Sequence, residues 1–277
     1  VGVKHRDGIC AQLAAAGEKN PIWHLCGYEL CGSKIDFTYF RNHLSMFEAA
    51  YNNLSDDLSQ KVFVNVLNAK LTGDFSLYEK IRSEDLYFDK ELIELGEHEF
   101  FLDVGAYRGN AIVEFARRTR GKYDGIIAFE PDLKTSAILA NTAKQNHINN
   151  LEIHNCGAWN RHAFLHFDDG REGSSRIYEL TENASSSNSI EANTIDDVLH
   201  GRRTTYIAMD IEGAEHNAIL GAEQSIKKWK PKMAVCVYHK REDLYDILLL
   251  LKSFVPDYKF YLRHYASNQT ETVLYAI

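Results

Sequence analysis

No stretch of this 277-residue sequence stays apolar for the roughly 20 residues that cross a bilayer. A membrane span is thereby excluded. Nor is a charged start followed by an apolar stretch and a small-residue cleavage site, so no secretory signal is read. Basic residues are in the minority: 31 Lys and Arg against 39 Asp and Glu give a formal net charge of −8. Such a charge repels a phosphate backbone, which makes nucleic acid a poor substrate. Cysteine is scarce and odd in number, five residues in a chain large enough to fold without staples. The expectation is a reducing compartment, the cytoplasm. His24, Cys26 and Cys31 lack a second ligand pair at zinc spacing and read as packing residues, and the sequons at Asn183 and Asn268 read as idle. Also missing are G-x-G-x-x-G, the phosphate loop G-x-x-x-x-G-K-[ST] and a Tyr-x-x-x-Lys pair. Their absence argues against nicotinamide and ATP enzymes.

What remains is ordinary globular composition, 45% hydrophobic and 25% charged, in a length that suits one sizeable domain plus a smaller segment. Residues 1–96 carry no run of strands. Leu44, Phe47, Tyr51 and Leu54 recur at helical spacing, and Ser55 is the expected N-cap of a second helix ending near Gly73. This region reads as a mostly helical lead-in. From residue 97 short apolar runs alternate with amphipathic stretches, the mark of a parallel sheet covered on both faces. Strands are expected over 99–105, 125–131, 151–158, 205–211, 232–239, 258–265 and 271–277. Helices are expected from Asn110 to Arg120, after Asp132, across Ile219 to Trp229 and through Leu244 to Leu251. The stretch from His162 to Asp197 breaks the rhythm and reads as an insertion, a hairpin with a loop.

Three motifs carry chemistry. In FLDVGAYRGNAI a strand runs through Asp103 into Gly105, Gly109 and a helix, the geometry for close backbone approach to a nucleotide-like ligand. The second strand ends on Glu130, 25 positions after Gly105, where a carboxylate can accept hydrogen bonds from both ribose hydroxyls. The block YIAMDIEGAEHNAILGAEQSI sets Asp210 and Glu212 at a strand end, and KPKMAVCVYH sets His239 at the end of the next. Ligands of open α/β sheets bind outside the carboxyl ends of the strands, so Asp210 and His239 are the candidate proton acceptors.

Taken with AFEPD, NCGAWN, NTIDDVL and the closing RHY and ETVLYAI, these motifs make the chain resemble the FkbM-type methyltransferase family over nearly all of residues 98–277. The resemblance implies a class I fold, a seven-stranded sheet ordered 3-2-1-4-5-7-6 with the last strand antiparallel. It implies S-adenosylmethionine as cofactor and S-adenosylhomocysteine as product, with a hydroxyl acceptor on a sugar, polysaccharide, glycolipid or secondary metabolite. Carried onto this sequence, the cofactor contacts are Asp103, Gly105, Ala106, Tyr107, Gly109, Asn110, Glu130, Pro131 and Asp210, with Cys156, Gly157 and Ala158 near the adenine end. Tyr107 and Arg108 depart from the commoner Asn-containing turn.

By its ordinary pKa a neutral His239 is the favoured base, with Asp210 its orienter. Glu212, Arg263 and His264 are expected on the acceptor side, along with Asp196, Asp197 and Tyr265. Asp210 and Glu212 alone do not assemble the oxygen ligands of a divalent cation, so the expected site is metal-free. A non-catalytic nucleotide-binding module of the same fold is the remaining alternative.

Overall fold

The computed structural model describes residues 35–168, 176–179 and 189–277; His24, Cys26, Cys31 and the sequon at Asn183 lie outside them. The chain runs through α1 (Phe37–Asn42), α2 (Leu44–Asn52), α3 (Asp57–Thr72), α4 (Ser76–Glu79), β1 (Phe100–Val104), α5 (Asn110–Arg118), β2 (Gly125–Phe129), α6 (Leu133–Gln145) and β3 (Leu151–His154). It continues with β4 (Gly157–Ala158), β5 (Ala163–Asp168), β6 (Arg176–Glu179), β7 (Ser189–Asn193), α7 (Ile195–Leu199), β8 (Tyr206–Met209), α8 (Glu215–Leu220) and α9 (Glu223–Trp229). The last elements are β9 (Lys232–Cys236), α10 (Asp243–Phe254), β10 (Phe260–His264) and β11 (Thr272–Ala276).

Seven strands form one sheet in the order β10-β11-β9-β8-β1-β2-β3. All pairs are parallel except those of β11, which runs antiparallel to both β9 and β10. This is the class I order, and the seven expected strands are all present. Both faces are covered, which is why the strands read as continuous apolar runs. Leu102 and Val104 of β1 enter a core shared with Phe47 of α2, Val62 of α3, Ile219 of α8 and Ile247 of α10. Phe101, one residue away and on the opposite face, packs with Phe115 of α5 and Leu139 of α6.

The N-terminal helices cover the outer edge of the sheet. Ser55 does not cap α3; Asp56 does, accepting from Ser59 N at 2.7 Å, and Gly73 closes the helix at φ +74°. Ser55 pairs instead with the edge strand, donating its N–H to Phe260 O at 2.8 Å and accepting Phe260 N on its hydroxyl at 3.1 Å. Ser59 Oγ accepts Leu262 N, and Ser83 N donates to His264 O at 2.7 Å. A free strand edge is thereby satisfied within the chain.

Two expected elements are split. The strand expected over 151–158 leaves the main sheet at Asn155, whose side-chain amide donates to Glu130 O and Ser136 Oγ. Gly157 and Ala158 then join a second sheet, ordered β4-β7-β5-β6, which the expected insertion builds. The helix expected through Ile219 to Trp229 breaks at Gly221, where any Cβ would lie 2.0 Å from the carbonyl oxygen of Trp159. Beyond the break, Asp196 caps α9 by accepting Gln224 N and Ser225 N at 2.9 Å each.

Candidate active site

The sheet order reverses between β1 and β8, and the turn after β1 sits at that reversal. Gly105 N and Ala106 N both donate to Phe129 O at the end of β2, at 3.1 and 3.0 Å. Gly105 has φ +89°, and a Cβ there would stand 2.0 Å from Asp210 O, so only glycine lets β1 and β8 close this tightly. Gly109, at φ +86°, occupies the N-cap of α5, and Asn110 is the first residue of that helix.

Glu130 ties the turn to the second strand. Its Oε2 accepts Tyr107 N and its Oε1 accepts Asp132 N, both at 2.9 Å. Pro131 separates the two anchors. Burial pushes the Glu130 carboxyl up to about 7, against the two N–H donors that favour its ionised form. Asp103 lies beneath the turn, 4% exposed, and burial together with the charges of Asp210 and Glu130 pushes it up to about 7 as well. Its Oδ2 has no hydrogen-bond partner among the described residues. Glu130 N donates to His154 O, which brings the exit of β3 and with it buried Cys156, Gly157 and Ala158 alongside.

Beside this turn lies a second cluster, on the ends of β8 and β9. Asp210 accepts Tyr87 OH at 3.0 Å and Tyr238 OH at 3.2 Å. His239 Nε2 stands 3.3 Å from Asp210 Oδ1 and 3.5 Å from Glu212 Oε2, while Nδ1 stands 2.9 Å from Glu215 Oε1. The ring N–H directions give none of these contacts hydrogen-bond geometry; they are ion pairs. The turn that presents them is strained, with Glu212 at φ +54° ahead of Gly213 at φ +97°.

Residues 103–260 match the family model described as the Methyltransferase FkbM domain. The chain belongs to the FkbM methyltransferase family. It is similar to a crystal structure of the methyltransferase FkbM from Methylobacillus flagellatus KT, at 26% identity over 99% of this chain and 70% of that one, with a TM-score of 0.76. Lower likenesses are an rRNA methylase from Streptococcus thermophilus (13% identity, 67% of this chain and 88% of that one, TM-score 0.41) and Aeropyrum pernix fibrillarin with bound S-adenosyl-L-methionine (11%, 69% and 72%, 0.43). At those scores they carry no argument about this chain. No curated protein matches it.

Several residues of this methyltransferase stand elsewhere, or in another state, than their spacing suggests. His239 stands among carboxylates. Burial alone would lower its pKa, but Glu215, Asp210 and Glu212 outweigh it and push it up to about 10, a direction that favours the protonated ring over the neutral base. Arg263 and His264, expected on the acceptor side, are buried. They sit on β10, 1% and 0% exposed, under the N-terminal helices. Arg263 bonds Asp56 Oδ2 at 2.7 Å and Ser59 Oγ at 2.9 Å, and His264 stacks on Tyr78. Tyr265 is buried against Tyr275, and Asp196 is the helix cap already described. Asp197 stays in the first turn of α7.

Other members of the site have no signal at their own positions. Tyr87 reaches Asp210 across 123 residues of sequence. Glu215 is visible in DIEGAE, but only its complete burial and its acceptance of Ile211 N at 3.0 Å show that it turns inward. Beyond the cluster, Lys240, Asp243 and His216 continue into a cleft of about 520 Å³ that Tyr39, Tyr245 and Arg241 also line.

Proposed function

We propose that this FkbM-family protein transfers a methyl group from S-adenosylmethionine to a hydroxyl of a saccharide or other polyhydroxylated acceptor. The observation that carries the reading is the juxtaposition of Glu130 and Asp210 at strand ends on either side of the Gly105 turn. Glu130 keeps acceptor lone pairs for two ribose hydroxyls after taking Tyr107 N and Asp132 N. The backbone of Gly105, Ala106, Tyr107, Gly109 and Asn110 cradles the cofactor, with Asp103 below, Pro131 beside Glu130, and Cys156, Gly157 and Ala158 toward the adenine. The orphaned Asp103 Oδ2 fits a polar ligand over the turn.

When bound, S-adenosylmethionine supplies an electrophilic methyl group on a sulfonium and is left as S-adenosylhomocysteine. The protein aligns the acceptor, a contribution of several kcal/mol. Asp210 takes the hydroxyl proton, worth roughly 10²–10⁴ in rate, and Tyr87 and Tyr238 hold its carboxylate in place. Protonated His239 positions Asp210 and Glu212 rather than acting as base. The cleft joins aromatic rings to charged side chains, a lining that suits a sugar, and Glu212, 3.5 Å from His239 Nε2, is assigned to the acceptor side. Two buried free thiols, Cys156 and Cys236, support a reducing, cytoplasmic setting.

The test is transfer of labelled methyl from S-adenosylmethionine to nucleotide sugars and polysaccharide fragments. A base-stable label, as in a methyl ether, supports a hydroxyl acceptor. A base-labile label, as in a methyl ester, overturns it.

A further inference from the structure

Asp210 and two of the side chains around it offer more than a proton relay. We propose that Asp210, Glu215 and His239 form a site for a divalent cation of the manganese and magnesium class, on the acceptor side of the fold. What the ion does there rests on the methyl-transfer reading; whether it binds does not.

Each of the three residues presents one ligand atom, and the atoms lie within 4.8 Å of one another. Ligands of one ion at about 2.1 Å stand up to about 4.2 Å apart, so a small closure of side chains seats it. Beyond their mutual ion pairs, the groups keep hydrogen-bonding capacity to spare. Glu215 is fully buried, its Oε1 takes Ile211 N, and its Oε2 has no hydrogen-bond partner among the described residues. His239 is 3% exposed, and among the described residues its ring nitrogens have carboxylates at ion-pair distance but no partner in hydrogen-bond geometry. Buried polar atoms of this kind cost stability unless something meets them.

Charge points the same way. Asp210, Glu212 and Glu215 surround a single imidazole, and Glu271, whose Oε2 is likewise buried and unpartnered, feels the field of Asp210 and Glu212. A divalent ion that displaces the proton of His239 adds one further positive charge to that group of carboxylates. Two carboxylates and one imidazole, with no thiolate, suit Mn²⁺ better than Ca²⁺, and three protein ligands leave positions for water and an acceptor oxygen. Coordination uses the neutral imidazole, so binding releases its proton. An acceptor hydroxyl on the ion then ionises more readily, and its proton passes to the Asp210 oxygen the ion leaves free.

The test titrates the full chain, stripped with a chelator, with Mn²⁺ followed by electron paramagnetic resonance and calorimetry. The expected result is one saturable Mn²⁺ per chain, displaced by Mg²⁺, with at least tenfold weaker binding in Asp210→Asn and in His239→Gln. Both variants are checked by thermal melting; should His239→Gln fail to fold, Asp210→Asn, at a partly exposed side chain, decides alone. No saturable binding in folded wild type, or unchanged binding in Asp210→Asn, overturns the site. A separate titration of the metal-free chain with S-adenosylmethionine keeps the two readings apart. Cofactor binding without Mn²⁺ binding overturns the cation site alone; Mn²⁺ binding without cofactor binding upholds the site and overturns the methyl-transfer reading alone.

Discussion

Glu130 accepts the backbone N–H of Tyr107 at 2.9 Å, so the carboxylate that ends β2 also fixes the left-handed residue in the middle of the glycine turn. The same group is assigned the ribose hydroxyls. Glu130→Gln keeps one carbonyl acceptor and loses the other, and S-adenosylmethionine affinity is expected to fall about tenfold or more, the loss of roughly 1–3 kcal/mol. With its carboxyl at about 7, wild-type affinity falls as pH drops from 8 to 6, because only the ionised form accepts both hydroxyls. Calorimetry at three pH values checks both points; the Gln variant gives a flatter profile.

Gly105→Ala sets a methyl 2.0 Å from Asp210 O at a backbone φ of +89°. Left-handed strain and overpacking together cost roughly 2–4 kcal/mol. The expected outcome is a lowered unfolding midpoint in urea together with weakened cofactor binding, since the turn joins β1 to β8. Unchanged stability would contradict this packing.

Arg263→Met leaves Asp56 and Asp89 without the buried guanidinium that stands 2.7 and 3.5 Å from them. Because Asp56 is partly exposed, the loss falls below the roughly 3–5 kcal/mol of a fully buried pair. Urea unfolding reads the loss, and cofactor affinity in the folded variant is expected to match wild type. A selective loss of acceptor binding with normal stability would return Arg263 to the acceptor side.

His264 gives a stability signal in acid. Burial holds its pKa down at about 4, below the ordinary value of 6.5. The unfolded chain therefore binds this proton first, so the contribution is fully present above pH 6.5 and is lost as pH falls toward 4. The span amounts to about 3 kcal/mol. Unfolding free energies of wild type and His264→Gln between pH 7 and 4.5 are expected to converge as pH falls.

The sheet was legible because its chemistry is local. FFLDVG, GIIAFEP and YIAMDI each carry an apolar run ending in glycine or acid, and such runs specify a buried parallel strand and its carboxyl edge without reference to the rest of the chain. Gly105, Glu130 and Asp210 could be placed at strand ends for that reason. What escaped depends on contacts between distant segments. Nothing in RHY says that Asp56 and Ser59, more than 200 residues earlier, close over Arg263. Helical spacing runs through Gly221, and only the Trp159 carbonyl breaks it. The strand expected to end on His239 stops at Cys236, three residues short of it, and the electrostatic setting of His239 depends on Glu215 and Glu212, whose inward orientation a sequence does not display.

The central claim is that the Gly105–Glu130 turn holds a sulfur nucleotide, and calorimetric titration of the purified chain with S-adenosylmethionine and S-adenosylhomocysteine, with NAD as control, tests it directly. The account predicts one site per chain for each sulfur nucleotide and none for NAD. Absence of binding in protein shown to be folded by its thermal transition would contradict it.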